Sequence, residues 1–125
     1  MLEDYKKKVY NQYWTRTGNP RNPSNAEVRK IIGDFEKVSV FPSEVIELLL
    51  FRVETLTDFA SQFGGVADAD YNASSTSFEK ALKLMEKNKL DTHFKDRCTA
   101  LFEADNLDYW YIEDLKSLYE GYFPK

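Results

Sequence analysis

Apolar positions recur at helical spacing along most of the chain, and no stretch reads convincingly as a strand. Leu2, Tyr5, Val9 and Tyr13 fall at i, i+3, i+7 and i+11, which places them on one face of a first helix. The segment from Thr15 to Pro23 carries two prolines and a glycine among polar groups, so it reads as a loop, the most mobile internal segment expected. Ser24 and Glu27 have the spacing of a capping box, and Val28, Ile31, Ile32, Phe35 and Val38 supply the apolar face of a second helix. That helix must stop before Pro42, whose ring disfavours helical geometry at Phe41 and which suits the first turn of the next helix.

The third helix, roughly 43–63, is the most apolar and is predicted to be central. Gly64 or Gly65 can close it, and Asp68 or Asp70 can cap the fourth helix. In the fourth, Tyr71, Phe78, Ala81, Leu82 and Met85 share a face with Ser74 and Ser75, small side chains that permit close approach. A fifth helix takes Leu90, Phe94, Cys98, Leu101 and Phe102, and the last takes Tyr111, Ile112, Leu115, Leu118, Tyr119 and Tyr122. Short connections favour antiparallel neighbours. The pattern predicts an all-α fold, a compact bundle of five or six helices, as a single domain over residues 1–125. The near-repeat Phe35-Glu36-Lys37-Val38 and Phe78-Glu79-Lys80-Ala81 does not extend into a solenoid period.

With 42% hydrophobic and 30% charged residues in 125, the composition is that of a soluble globular domain. The longest apolar run, from Val45 to Phe51, is interrupted by Glu47 and stopped by Arg52, well short of the ~20 residues that span a bilayer. The first residues lack the apolar core of a secretory signal, and the lone Cys98 cannot form an intramolecular disulfide, which together point to a reducing cytoplasm.

The inventory of chemistry-bearing residues is narrow. With one histidine, His93, and one thiol, neither a Cys/His zinc site nor a Glu-x-x-His di-iron site can be assembled in one chain, and no phosphate-binding glycine motif is present. Ribonucleases built on Arg-x4-6-His are disfavoured, because positions 86–88 are Glu-Lys-Asn. No cofactor is implied. Residues 1–30 carry a balance of +4 and residues 31–125 one of −8. The basic start, including Lys6-Lys7-Lys8, reads more simply as a solvated face than as a nucleic-acid surface.

Three features invite a functional reading. On the polar stripe of the third helix, Glu47, Glu54 and Asp58 lie within about 40° of one another on a helical wheel. Glu54 and Asp58 form a like-charge i, i+4 pair that would suit a cation, a basic partner or acid–base work, against the plainer reading of a solvated edge or salt bridges to lysines of adjacent helices. Aromatic residues concentrate at the two ends of the chain; if the first and last helices meet, they form a wall suited to a groove or a dimer contact. Cys98, on an apolar face, reads as a small core residue, and His93 has no aligned nucleophile.

Val53-Glu54 through Asp58-Phe59, then Gly64, Asp68, Tyr71-Asn72, the run Phe78 to Leu84, and the opening Leu2 to Lys8 resemble an uncharacterised family of small bacterial helical proteins. The resemblance implies an all-helical cytoplasmic bacterial domain with no assigned activity and no catalytic residue to carry over. The expectation is a non-enzymatic module that offers an aromatic or acidic surface to a protein partner or to a second copy of itself. The alternative is a small-molecule or divalent-cation binding protein or enzyme using Glu54 and Asp58 in a polar cleft. Glu54, Asp58, Tyr71 and Trp110 are the candidate binding residues. Neither membrane nor nucleic acid is an expected partner.

Overall fold

A computed structural model describes residues 1–62, 66–103 and 109–124. Six helices are present among them, α1 (Leu2–Tyr13), α2 (Asn25–Val38), α3 (Pro42–Ser61), α4 (Asp68–Asn88), α5 (Asp91–Leu101) and α6 (Tyr109–Tyr122), with no sheet among the described residues. The fold is all-α, as the periodicity predicts.

Local chemistry sets most of the boundaries. Ser24 caps α2 by accepting from the Glu27 amide at 3.2 Å, and Pro42 occupies the first turn of α3, where its missing N–H costs nothing. The expected acidic cap of α4 is not made. Ala67 stands at the cap position with no side-chain hydrogen bond, and Asp68 and Asp70 lie inside the first turn, where their charge favours the positive end of the helix dipole. The glycine closure expected at Gly64 or Gly65 falls outside the described residues. Lys89 ends α4 in the left-handed conformation usually left to glycine (φ 56°), which turns the chain directly into α5. The Thr15–Pro23 segment is tied down: Trp14 and Pro20 form an antiparallel bridge, Gly18 turns the chain at φ 84°, and the Thr15 amide donates to the Asn19 carbonyl at 2.7 Å.

α3 packs on α1, α2, α4 and α5, which makes it the central helix, and its contact with α4 is the most extensive in the molecule. Leu48, Leu50, Ile46 and Val53 on α3 are fully buried in one core cluster with Phe35 of α2, Phe78 and Leu82 of α4, and Phe94 of α5. Among the described residues, every buried side-chain nitrogen and oxygen has at least one hydrogen-bond partner. Thr57 donates to the Val53 carbonyl at 2.7 Å, and the fully buried Tyr111 hydroxyl meets Ser74 at 2.7 Å and Thr57 at 3.1 Å. Ser74 is therefore a hydrogen-bonding anchor for α6 as well as a small side chain.

Among the described residues, the aromatic wall expected if the first and last helices met does not form. α1 packs on α2 and α3, whereas α6 packs on α4 and α5. Aromatic contacts among the described residues include a cluster of Tyr13, Trp14 and Phe59 and another of Phe78, Phe102, Tyr119, Tyr122 and Phe123, with Tyr5–Phe35 and Tyr71–Tyr111 as separate pairs.

Candidate functional site

The acidic stripe of α3 meets α5. Arg97 donates from Nη2 and Nε to the two carboxylate oxygens of Glu54, at 2.6 and 3.2 Å, and from Nη1 to Glu47, which Lys6 of α1 also approaches at 3.5 Å. Burial would raise the Glu47 carboxyl, but the hydrogen bond and charge of Arg97, helped by Lys6, outweigh it and hold the group below the usual carboxylate range. Burial opposes the Arg97 charge, yet the same two carboxylates keep it raised. Glu47 and Glu54 are thus ion-paired to neighbouring helices. Asp58 lies one turn further along, exposed, in a cleft shared with Tyr10 and Trp14, and its carboxyl is raised by partial desolvation and then by the negative charge of Glu54. Among the described residues no three acidic, histidine or cysteine side chains converge as a metal site would require.

Tyr71 and Trp110 come together elsewhere, between α4 and α6. The Tyr71 hydroxyl donates to the Trp110 carbonyl at 3.4 Å, its ring stands edge-on to Tyr111, and the Trp110 side chain is 70% exposed. The four candidates therefore form two pairs, one on α3 and one between α4 and α6. His93 is exposed with its ring edge-on to Phe94, and Cys98 is fully buried, its thiol pushed up to about 12 by desolvation.

A third place, between α2, α3 and α4, holds the least expected residue in the fold. Arg52 is 3% exposed, and its guanidinium donates from Nη1 to Ser77 Oγ at 2.7 Å, from Nη2 to Asn25 Oδ1 at 3.0 Å and from Nε to the Tyr13 hydroxyl at 3.4 Å. All three acceptors are neutral. No carboxylate stands within salt-bridge distance among the described residues, and the nearest link to an acid runs through Asn25, whose Nδ2 donates to Asp70 at 2.8 Å. A guanidinium has five N–H groups, so two remain for something else. The Tyr13 hydroxyl, raised by burial against the pull of Arg52, stays neutral and locks α1 to this centre.

Arg52 lines a cleft of about 450 Å³. Two cross-links fix its walls: Asn25 to Asp70, and Glu36 to Lys80 at 2.5 Å. They join early to early and late to late positions, so α2 and α4 run parallel, with α3 as the floor. Small residues line the gap and leave it unfilled: Ala26 and Gly33 on α2 and Ala73 on α4. Gly33 has no positive φ and a Cβ added there would meet nothing within 4 Å, so neither backbone geometry nor crowding at that atom requires glycine. Three cations, Arg29, Arg52 and Lys80, line the cleft against one carboxylate, Glu36, and most of the remaining lining is apolar.

Sequence reasoning passed over Arg52 as the residue that ends an apolar run. A signal was present: it falls at i+7 from Val45, i+3 from Leu49 and i−4 from Leu56, on the face that must be buried. No family model, no curated protein and no solved structure matches the chain.

Proposed function

We propose that the protein is a non-enzymatic binding module whose Arg52 cleft takes a small molecule bearing an anionic group. The observation that carries the reading is a guanidinium 3% exposed, held by neutral acceptors, with two N–H groups left over at the base of a cleft of net positive charge. A buried cation without a counter-charge is costly, and an incoming carboxylate or phosphate offsets that cost while making charge-assisted hydrogen bonds. Asn25, Ser77 and Tyr13 orient the fork, and the exposed Arg29 draws the anion in from solvent. Glu36, the carboxylate of the lining, is paired to Lys80, and the Ser77 hydroxyl accepts from Arg52, which supports binding over catalysis.

The test is thermal unfolding with acetate, hexanoate, sulfate and phosphate, each against chloride at matched ionic strength. A bound anion stabilises by RT ln(1 + [L]/Kd), about 2.7 kcal/mol at a hundredfold excess over Kd. At least one anion is expected to raise Tm beyond chloride in the native protein and not in Arg52→Gln. Equal responses in both proteins, or none beyond chloride, would remove the reading.

A second reading, docking of a protein partner, is favoured by exposed apolar side chains at the α2–α3 turn, where Val40 is 79% and Phe41 61% exposed, and by Trp110. The Glu54 and Asp58 alternative is less supported, since Glu54 is already engaged by Arg97. The compartment proposed is a bacterial cytoplasm, in keeping with the family resemblance and a lone buried thiol.

A further inference from the structure

Resting on the anion reading, we infer that the ligand is an aliphatic carboxylate: a planar two-oxygen head on Arg52 and a hydrocarbon body along the α2 and α4 walls. The head follows from the donors. One deeply buried guanidinium with two N–H groups left matches the two oxygens of a carboxylate, and the other cations lie nearer solvent, with Lys80 already paired to Glu36. Inorganic phosphate, with four oxygens to satisfy, has more acceptors than Arg52 has N–H groups left and would turn part of its charge toward Ile32 and Leu49.

The body follows from the lining. Beyond the guanidinium the cleft is walled by Ala26, Ile32, Gly33, Leu49 and Ala73, a largely apolar surface around about 450 Å³, within the size range of small-molecule sites. Gly33 and Ala73 leave the space between the two walls unfilled, and nothing in the fold of α2 asks for a glycine at 33. Bare backbone at that position leaves room for a ligand of modest width.

The inference is tested by titration calorimetry of the whole chain with acetate, butyrate and hexanoate, alongside hexanol and inorganic phosphate at matched sodium. Affinity should rise about fourfold per methylene from butyrate to hexanoate. Hexanol and phosphate should each bind at least about tenfold more weakly than hexanoate, since each lacks one half of the match. Gly33→Leu, which plugs the α2 wall, should flatten the chain-length series while circular dichroism stays native, and Ala73→Leu does the same from α4 should Gly33→Leu fail to fold. A flat series in the native protein, phosphate binding as tightly as hexanoate, or hexanoate binding unchanged in the plugged variants would overturn the carboxylate inference and leave the anion reading in place. Hexanol binding as tightly as hexanoate, or no anion binding at all, would overturn both.

Discussion

Two arginines on adjacent helices are treated in opposite ways. Arg97 of α5 keeps about a third of its side-chain surface in water and is matched by two carboxylates, Glu47 and Glu54. Arg52 of α3 is almost wholly buried and is matched by an amide, a serine and a phenol. Electrostatics alone would arrange the reverse, because counter-charge matters most where water is excluded. The more exposed cation is a fastener between α3 and α5, while the deeper one is held in place without being neutralised. That contrast separates a structural ion pair from a centre prepared for an incoming charge.

The contrast is broken most directly at Arg52. Arg52→Lys keeps the charge but cannot span Ser77, Asn25 and Tyr13 together, and the loss should be about 2 kcal/mol by urea denaturation, the scale of a hydrogen bond to a charged group. A variant as stable as the native protein would place Arg52 among ordinary solvated arginines. Arg97→Gln should cost less, about 1 kcal/mol at pH 7, because the cluster is partly in water. Its pH dependence has a definite sign. The Glu47 carboxyl is lowered in the fold, so its contribution is present above the unfolded carboxylate range and disappears as pH falls through the lower, folded value. The gap between native protein and Arg97→Gln should therefore close in acid, and a gap that persists unchanged at low pH would mean the pairing is not what Arg97 contributes.

Gly33→Ala sharpens the comparison from the cleft side. An alanine meets nothing at that position, and in a helix interior it should stabilise by about 0.5–1 kcal/mol, read as a higher urea midpoint. A loss instead would show that the glycine serves the fold. The smallest effect belongs to Asp58. Its carboxyl is raised in the fold, so the protonated form is the favoured one, and the stabilisation it gives at low pH is lost as pH rises through the raised value. Asp58→Asn should then gain a few tenths of a kcal/mol at pH 7, and that gain should vanish in acid.

Much of this was legible along the chain. The start of α2 at Ser24, the start of α3 at Pro42, the central place of α3 and the burial of Cys98 all follow from local rules of capping, proline geometry and helical period. The plainer readings of Glu47 and Glu54 were a solvated edge or salt bridges to lysines of adjacent helices; Lys6 does approach Glu47, but the main partner is Arg97, which could not be named because pairing across 43 and 50 residues depends on how α5 lies against α3. The cleft was harder to find. It needs α2 and α4 to run parallel with small residues facing each other, a relation between segments that no single helical wheel contains. Arg52 sat in plain sight on an apolar face, but a charge after seven mostly apolar residues reads first as the end of a run.

The buried thiol offers a clock. With Cys98 pushed up to about 12, only about one in ten thousand copies of the folded protein carries a thiolate at pH 8. An unfolded chain, with a thiol near 8.5, carries it in about a quarter of copies. Reaction with a thiol reagent therefore waits for α5 to lift from α3, and its rate under native conditions counts those openings. Because Arg97 is the residue before Cys98, the same measurement reports how firmly the fastener holds. Comparing the labelling rate with and without a bound anion would then reveal whether filling the cleft on one side of α3 slows the opening of the helix that α3 holds through Arg97.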